Sequence, residues 1–373
     1  MALFPDSQPV YTRGPRPARR AGMIALFVAV IVGLILAIAP APYVIEKPGP
    51  AYNTLGSSDV VGTSDEDSTM TPLIDISGET VYPTEGSLDL LTVSRLGNPE
   101  NRPNWLSVFK AWLTPSEAVV PIDQAYPPNV STEQQEQQST AAMIDSQNDA
   151  IAAALTHLDY SYPSEVTVMS IIEDSPAEGS LEPEDQVISV NGVAVESIQA
   201  LRDALKSGGA GNEATLGVVR DGEEIEVQVT PEAAGEAVVV GVNVKTEYDF
   251  PFDVRIQLDK VGGPSAGMMF ALGIIDKLTP GALQGGEDVA GTGTIDPTGA
   301  VGPIGGIRQK LYGAEDAGAE WFLAPSANCD EVTGHIPDGL TVFSVETLDD
   351  SLAALEAIRT GEGTEGLATC PAS

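Results

Sequence analysis

With 373 residues the chain exceeds one ordinary domain of about 100–200 residues, so two to four domains are expected. Its 18 basic against 54 acidic residues leave a formal charge of -36, which denies it the basic face that nucleic-acid binding requires. A hydrophobic content of 42% excludes wholesale disorder, while 5% aromatics and 38 glycines point to small side chains and many turns.

Residues 1–20 read as a cytoplasmic tail and 21–39 as a transmembrane helix. That run carries no charge, and at about 1.5 Å per residue it spans roughly one bilayer core. Arg13, Arg16, Arg19 and Arg20 precede it against a single Asp6, which places the N-terminus in the cytoplasm and everything after Pro40 outside. The rival is a cleaved signal peptide, since Ala37-Ile38-Ala39 and Ala39-Pro40-Ala41 fit a small-x-small pattern. A proline just beyond the scissile bond disfavours that rival, and in both cases the remainder is exported and strongly acidic.

Residues 40–130 show short alternating runs such as Thr80-Val81-Tyr82 and Leu88-Asp89-Leu90-Leu91-Thr92-Val93, cut by Gly, Pro and Asp, and predict a separate β-rich extracytoplasmic segment. The sequon Asn129-Val130-Ser131 is read as carrying no role. Residues 131–159 begin as a polar stretch and become a helix, with Met143, Ile144, Ile151, Leu155 and Leu158 at helical spacing, expected to link two domains. His157 on it reads as a surface residue, and two histidines with two distant cysteines make no metal cluster, so neither metal nor cofactor is expected. Cys329 and Cys370 are consistent with an oxidising compartment, either as a disulfide tying down the C-terminal tail or as unrelated thiols.

Residues 160–235 form the next unit, with strands around 166–171, 186–190 and 225–229 and a helix at 197–206. Ser175-Pro176-Ala177, Leu181, Glu184-Asp185-Gln186-Val187-Ile188, Val190-Asn191-Gly192 and the turn Asp221-Gly222 make it resemble a PDZ domain. The resemblance implies a groove between the strand Val166-Thr167-Val168 and that helix, where an extended peptide adds as one more strand. The preceding Ser164-Glu165 lacks the glycine of the family's carboxylate-binding loop, so strict C-terminal recognition is not expected.

Residues 236–358 carry the candidate chemistry, before a tail at 359–373. Gly262-Gly263-Pro264-Ser265-Ala266-Gly267 runs into an apolar helix whose first N–H groups and dipole suit a developing oxyanion, with small Gly263 and Pro264 letting a substrate backbone approach. By residue type alone Ser265 could equally be a helix cap. Lys310 lies beside Ile307, Leu311 and Ala314, where burial favours the neutral amine that acts as a general base, or its stem merely covers apolar surface. The blocks Gly263-Pro264-Ser265-Ala266-Gly267, Gly291-Thr292-Gly293-Thr294-Ile295, Pro303-Ile304-Gly305-Gly306-Ile307 and Lys310 resemble the proteolytic domain of Lon-type Ser-Lys proteases. The resemblance implies Ser265 as nucleophile, Lys310 as general base and Thr292 as the lysine's hydrogen-bond partner. The acid that the family often has three residues before the serine is Gly262 here, so its part is either absent or supplied elsewhere, with Asp259 as the candidate. Gly263–Gly267 also fits a nucleophile elbow, which would recruit His335, but the alternating run before it is not the buried strand that fold needs.

The chain contains no Gly-Lys dipeptide and therefore no P-loop, unlike the ATPase-bearing Lon proteases of the cytosol. The order of anchor, PDZ and Lon-type domain instead resembles the membrane-bound PDZ and Lon-type proteins of bacteria. The fold class expected is multidomain α+β: one transmembrane helix, a β-rich segment, a small barrel-like PDZ domain and an α/β proteolytic domain. The function implied is an ATP-independent, membrane-anchored serine endopeptidase acting on unfolded or flexible exported polypeptides, with a ring-shaped homo-oligomer as a further implication. The alternative is a non-catalytic substrate-binding or docking protein of the cell envelope.

Overall fold

The computed structural model describes residues 17–57, 71–127, 130–235, 237–258 and 261–372; Asp6, Arg13, Arg16, Asn129 and Asp259 lie outside them. The chain divides into two compact units, one of Met1–Lys47 with Arg95–Val130, the other of Pro48–Ser94 with Ser131–Ser373.

In the first unit the helix Pro17–Ile38 holds an 18-residue window, Ala21–Ile38, of mean hydropathy 3.0, none of it buried. It is long and apolar enough to cross a membrane, a property it shares with signal sequences. Tyr43 to Glu46 then pairs antiparallel with the strand Ala118–Pro121. The helix Trp105–Trp112 starts at Asn104, whose side-chain oxygen accepts the Ser107 N–H at 2.9 Å, and it buries Val108 and Ala111 against Ala41 and Ile45.

The second unit is built on a largely parallel sheet in the order Thr341–Val345, Trp321–Pro325, Asp288–Gly291, the strand Ser87–Leu96 through its residues 87–94, and residues 48–53. Residues alternate across it. Leu88, Leu90, Val289, Leu323 and Phe343 meet the helices Thr132–His157, Gly267–Leu278 and Leu348–Thr360 on one face. Leu91, Ala290, Phe322 and Val342 meet the helix Ile307–Ala317 on the other. A parallel sheet covered on both faces explains why its strands are short apolar runs.

Two expectations are corrected here. Residues 40–130 are not a separate β-rich segment, because Ser87–Leu96 sits inside this sheet with Leu88 opposite Val289, a pairing 201 positions apart in sequence. Nor is the helix over 131–159 a linker. It runs Thr132–His157, so the polar stretch is already helical, nucleated by a capping box in which Ser131 and Gln134 bond each other's backbone N–H. Met143, Ile151 and Leu155 are buried in the main core, and Ala150, Ala153 and Ala154 let the helix pack closely there; Ile144 is exposed.

The PDZ fold is nested within this unit. The chain leaves after the helix Thr132–His157 and returns at the strand Asp253–Ile256, which pairs antiparallel with Ile74–Ser77. The nested sheet runs Val242–Tyr248, Ser164–Ile171, Gln186–Val190, Ala214–Arg220, Glu223–Val229, so the fold extends beyond the boundary expected at 235. It has its own core of Val166, Val168, Val187, Leu201, Leu205 and Leu216, and the hairpin of Ala214–Arg220 with Glu223–Val229 turns on Asp221 and Gly222, both at positive φ. At the C-terminus Cys329 and Cys370 are disulfide-bonded, and the tail lies along Thr341–Val345, with the Cys370 N–H donating to the Val342 carbonyl at 3.1 Å.

Candidate active site

Ser265 sits in the turn that starts the helix Gly267–Leu278, which is buried almost throughout. First-turn N–H groups have no intrahelical acceptor; that of Met268 donates to the Gly293 carbonyl at 3.1 Å, and the positive end of the dipole lies at Ser265. The turn is held from behind by the helix Thr132–His157. The Gly263 N–H donates to the Ser139 carbonyl at 2.9 Å, and the buried Ser146 hydroxyl donates to the Pro264 carbonyl at 2.9 Å. A Cβ on Gly262 would lie 2.3 Å from Ser139 Oγ, so the helix leaves no room for a side chain at this position. From the far side, Thr292 Oγ1 and the Gly293 N–H both donate to the Ser265 carbonyl, at 2.8 and 3.0 Å.

Lys310 projects from the helix Ile307–Ala317, whose Ile307, Leu311 and Ala314 are fully buried. Its Nζ lies 2.8 Å from Ser265 Oγ and 2.8 Å from Thr292 Oγ1. Burial drives its pKa down from 10.5 to about 7. Because the Thr292 hydroxyl proton is committed to the Ser265 carbonyl, its oxygen accepts from Lys310, and a neutral amine then has its lone pair free for the Ser265 hydroxyl.

The fold therefore brings together Ser265, Lys310 and Thr292, with Gly263 and Pro264 forming the turn ahead of the serine. His335 lies in the loop after the short helix Cys329–Val332, its N–H on the Val332 carbonyl. The strand before the serine, Asp253–Ile256, belongs to a separate two-stranded ribbon, not to the parallel sheet a nucleophile elbow needs. Ser139 and Ser146 were not legible from sequence: a serine on a helix carries no mark that separates bracing a loop from facing solvent. Ser146→Ala is expected to lower kcat about tenfold with KM nearly unchanged, measured by steady-state peptide cleavage, because the turn loses one of its anchors.

The expected peptide site at Val166, Thr167 and Val168 is corrected. That strand is paired on both edges: Val166 lies opposite Thr246 and Val187, Thr167 opposite Lys245 and Gln186, and the Val168 N–H donates to the Asp185 carbonyl at 2.8 Å. Val166 and Val168 are core residues. The strand at the end of the sheet beside the helix Ile198–Gly208 is Val242–Tyr248, and Gly241, at positive φ, precedes it. Ile198 and Arg202 with Thr246 and Tyr248 line a cleft of about 220 Å³ that also touches Asp149 and Asp296 of the protease body. The Tyr248 hydroxyl donates to Asp149 at 3.0 Å, and burial raises the Asp149 pKa to about 6.

Residues 133–230 match the PDZ domain family, and residues 258–357 match the Lon protease (S16) C-terminal proteolytic domain. Lon protease 2 of Herpetosiphon aurantiacus is 39% identical over 107 residues, covering 27% of this chain and 13% of that protein. Lon protease 1 of the same organism is 29% identical over 174 residues, covering 46% and 21%. The Lon protease of Geobacter metallireducens is 40% identical over 113 residues, covering 29% and 14%. The chain thus carries a PDZ domain and a Lon-type proteolytic domain, and it spans between 13% and 21% of the length of these relatives.

Proposed function

We propose that the chain is an ATP-independent, membrane-anchored serine endopeptidase, with Ser265 as nucleophile, Lys310 as general base and Thr292 orienting the lysine. The observation that carries the reading is the 2.8 Å approach of a buried lysine amine, its pKa lowered to about 7, to a serine hydroxyl at a helix N-terminus. The neutral amine takes the Ser265 proton as Oγ attacks the scissile carbonyl, and the oxyanion is held by backbone N–H groups of the turn. The resulting ammonium gives its proton to the leaving amine. Water, deprotonated by the same lysine, then releases the acyl group and restores the serine.

The PDZ groove selects the substrate, an extended and therefore unfolded segment that adds to the edge of Val242–Tyr248. Support for anchoring is the apolar helix Pro17–Ile38, with the arginine-rich tail on the cytoplasmic side. Support for independence from ATP is the lack of a Gly-Lys phosphate loop in these residues.

The test is digestion of a reduced, carboxymethylated protein by the full chain in detergent micelles, with and without Mg-ATP. Equal cleavage in both is expected. Absence of cleavage between pH 6 and 9, or cleavage only with ATP, contradicts the reading.

A further inference from the structure

The helix Trp105–Trp112 is apolar on both sides. Its inner face, Val108 and Ala111, closes the small core of the first unit, which accounts for those residues. Its outer face, Leu106, Phe109, Trp112 and Leu113, is 55% to 70% exposed, and nothing else among the described residues of this unit covers it. Positions 106 and 109 and the C-cap 113 share one helical face, with the exposed Lys110 at its edge, so the exposed apolar side chains are neighbours rather than scattered.

The helix is tied directly to the end of the candidate membrane span. The Trp105 N–H donates to the Ala39 carbonyl at 3.3 Å, and the Ala41 N–H donates to the Pro103 carbonyl at 2.8 Å. The Tyr43 ring packs edge-on against Trp105 at 5.8 Å and Trp112 at 6.2 Å, fixing the helix at the point where the chain emerges from the span. Charge distinguishes this region too. Residues 40–47 and 95–130 hold four basic and four acidic side chains, in a chain of net charge -36. A neutral surface avoids the repulsion that the acidic remainder would meet at an anionic leaflet. Arg102 and Arg95, the latter paired with Glu46 at 2.8 Å, also line a cleft beside Ala37 and Ile38, at the level where lipid phosphates lie if the helix spans.

We infer that Trp105–Trp112 is an interfacial helix whose outer face, Leu106, Phe109, Trp112 and Leu113, inserts into the outer leaflet around the end of the span. The occupant of this surface is the lipid bilayer. The inference rests on the anchor reading, since a cleaved helix would leave this face in water. An amphipathic helix of this kind sinks its apolar side about 5–10 Å into the headgroup and acyl boundary. Two attachments, a span and an interfacial helix, hold the first unit in one orientation on the membrane.

The full chain, reconstituted in vesicles of phosphatidylcholine and phosphatidylglycerol brominated at carbons 6 and 7 of the acyl chain, tests this through tryptophan emission. Trp105, Trp112 and Trp321 are the three tryptophans. The wild type is expected to lose at least about a third of its emission relative to non-brominated vesicles, and Trp112→Phe much less, because a ring at that depth meets bromine. In a Trp105→Phe and Trp321→Phe background, the pair Phe109→Glu and Leu113→Glu is expected to abolish the quenching of Trp112 and shift its emission to the red. Carbonate extraction separates the two readings. A chain that resists carbonate but shows no bromine quenching of Trp112 overturns the interfacial helix alone, including where Trp112 is shielded from aqueous iodide by a second copy or another protein. A chain released by carbonate overturns the anchor, and this inference with it.

Discussion

Ser265→Ala is expected to remove peptide cleavage, by roughly 10⁴-fold or more, while leaving the fold and peptide binding by the PDZ groove intact. The loss is large because the hydroxyl is the only atom removed and it is the attacking atom. The fold survives because the bonds that shape the turn are accepted by its backbone and not by the serine hydroxyl: the Ser265 carbonyl keeps its two donors, the Thr292 hydroxyl and the Gly293 N–H, and the Pro264 carbonyl keeps the Ser146 hydroxyl. Steady-state cleavage, urea unfolding and titration with a fluorescent peptide measure the three properties separately. A His335→Ala variant run beside it is expected to cleave normally; its inactivation would point to a triad instead.

Lys310→Met is expected to be equally inactive and at the same time more stable than the wild type. The folded site lowers the lysine pKa to about 7, against an ordinary value of 10.5, so folding at neutral pH costs the removal of a proton or the burial of a charge. Methionine has a similar length and no such cost, and the gain at pH 7.5 is on the order of 3 kcal/mol. The sign follows from proton uptake. Between pH 7 and 10.5 the unfolded lysine is protonated and the folded one is not, so wild-type stability rises with pH across that window. The urea midpoint of the protease unit is therefore expected to favour Lys310→Met strongly at pH 7.5 and only slightly at pH 10. A variant less stable than the wild type at pH 7.5 would mean that the lysine's two hydrogen bonds outweigh its desolvation.

The candidate site is marked in sequence by the resemblance of its blocks to a Lon-type domain; the residues alone leave Ser265 a nucleophile or a helix cap and Lys310 a base or a stem covering Ile307, Leu311 and Ala314. What was hidden depends on pairings distant along the chain. Ser87–Leu96 reads as a small separate strand until Val289 is placed opposite Leu88. Ser146 reads as one polar residue on an amphipathic helix until Pro264 is placed against it. The PDZ resemblance places the peptide groove beside Val166, Thr167 and Val168, a strand whose alternation is plain in sequence. Alternation gives the buried face of a strand but not its neighbours, and it is the neighbours Val242–Tyr248 and Gln186–Val190 that close both of its edges.

The most direct measurement on the dyad is the pH dependence of kcat/KM for a short, uncharged peptide, for the wild type and a His157→Ala, His335→Ala double variant. A lysine base that must be neutral makes activity rise about tenfold per pH unit at low pH and level off above an apparent pKa near 7. That profile is expected in both proteins. A profile flat between pH 5.5 and 9, or one that moves when the histidines are removed, contradicts it.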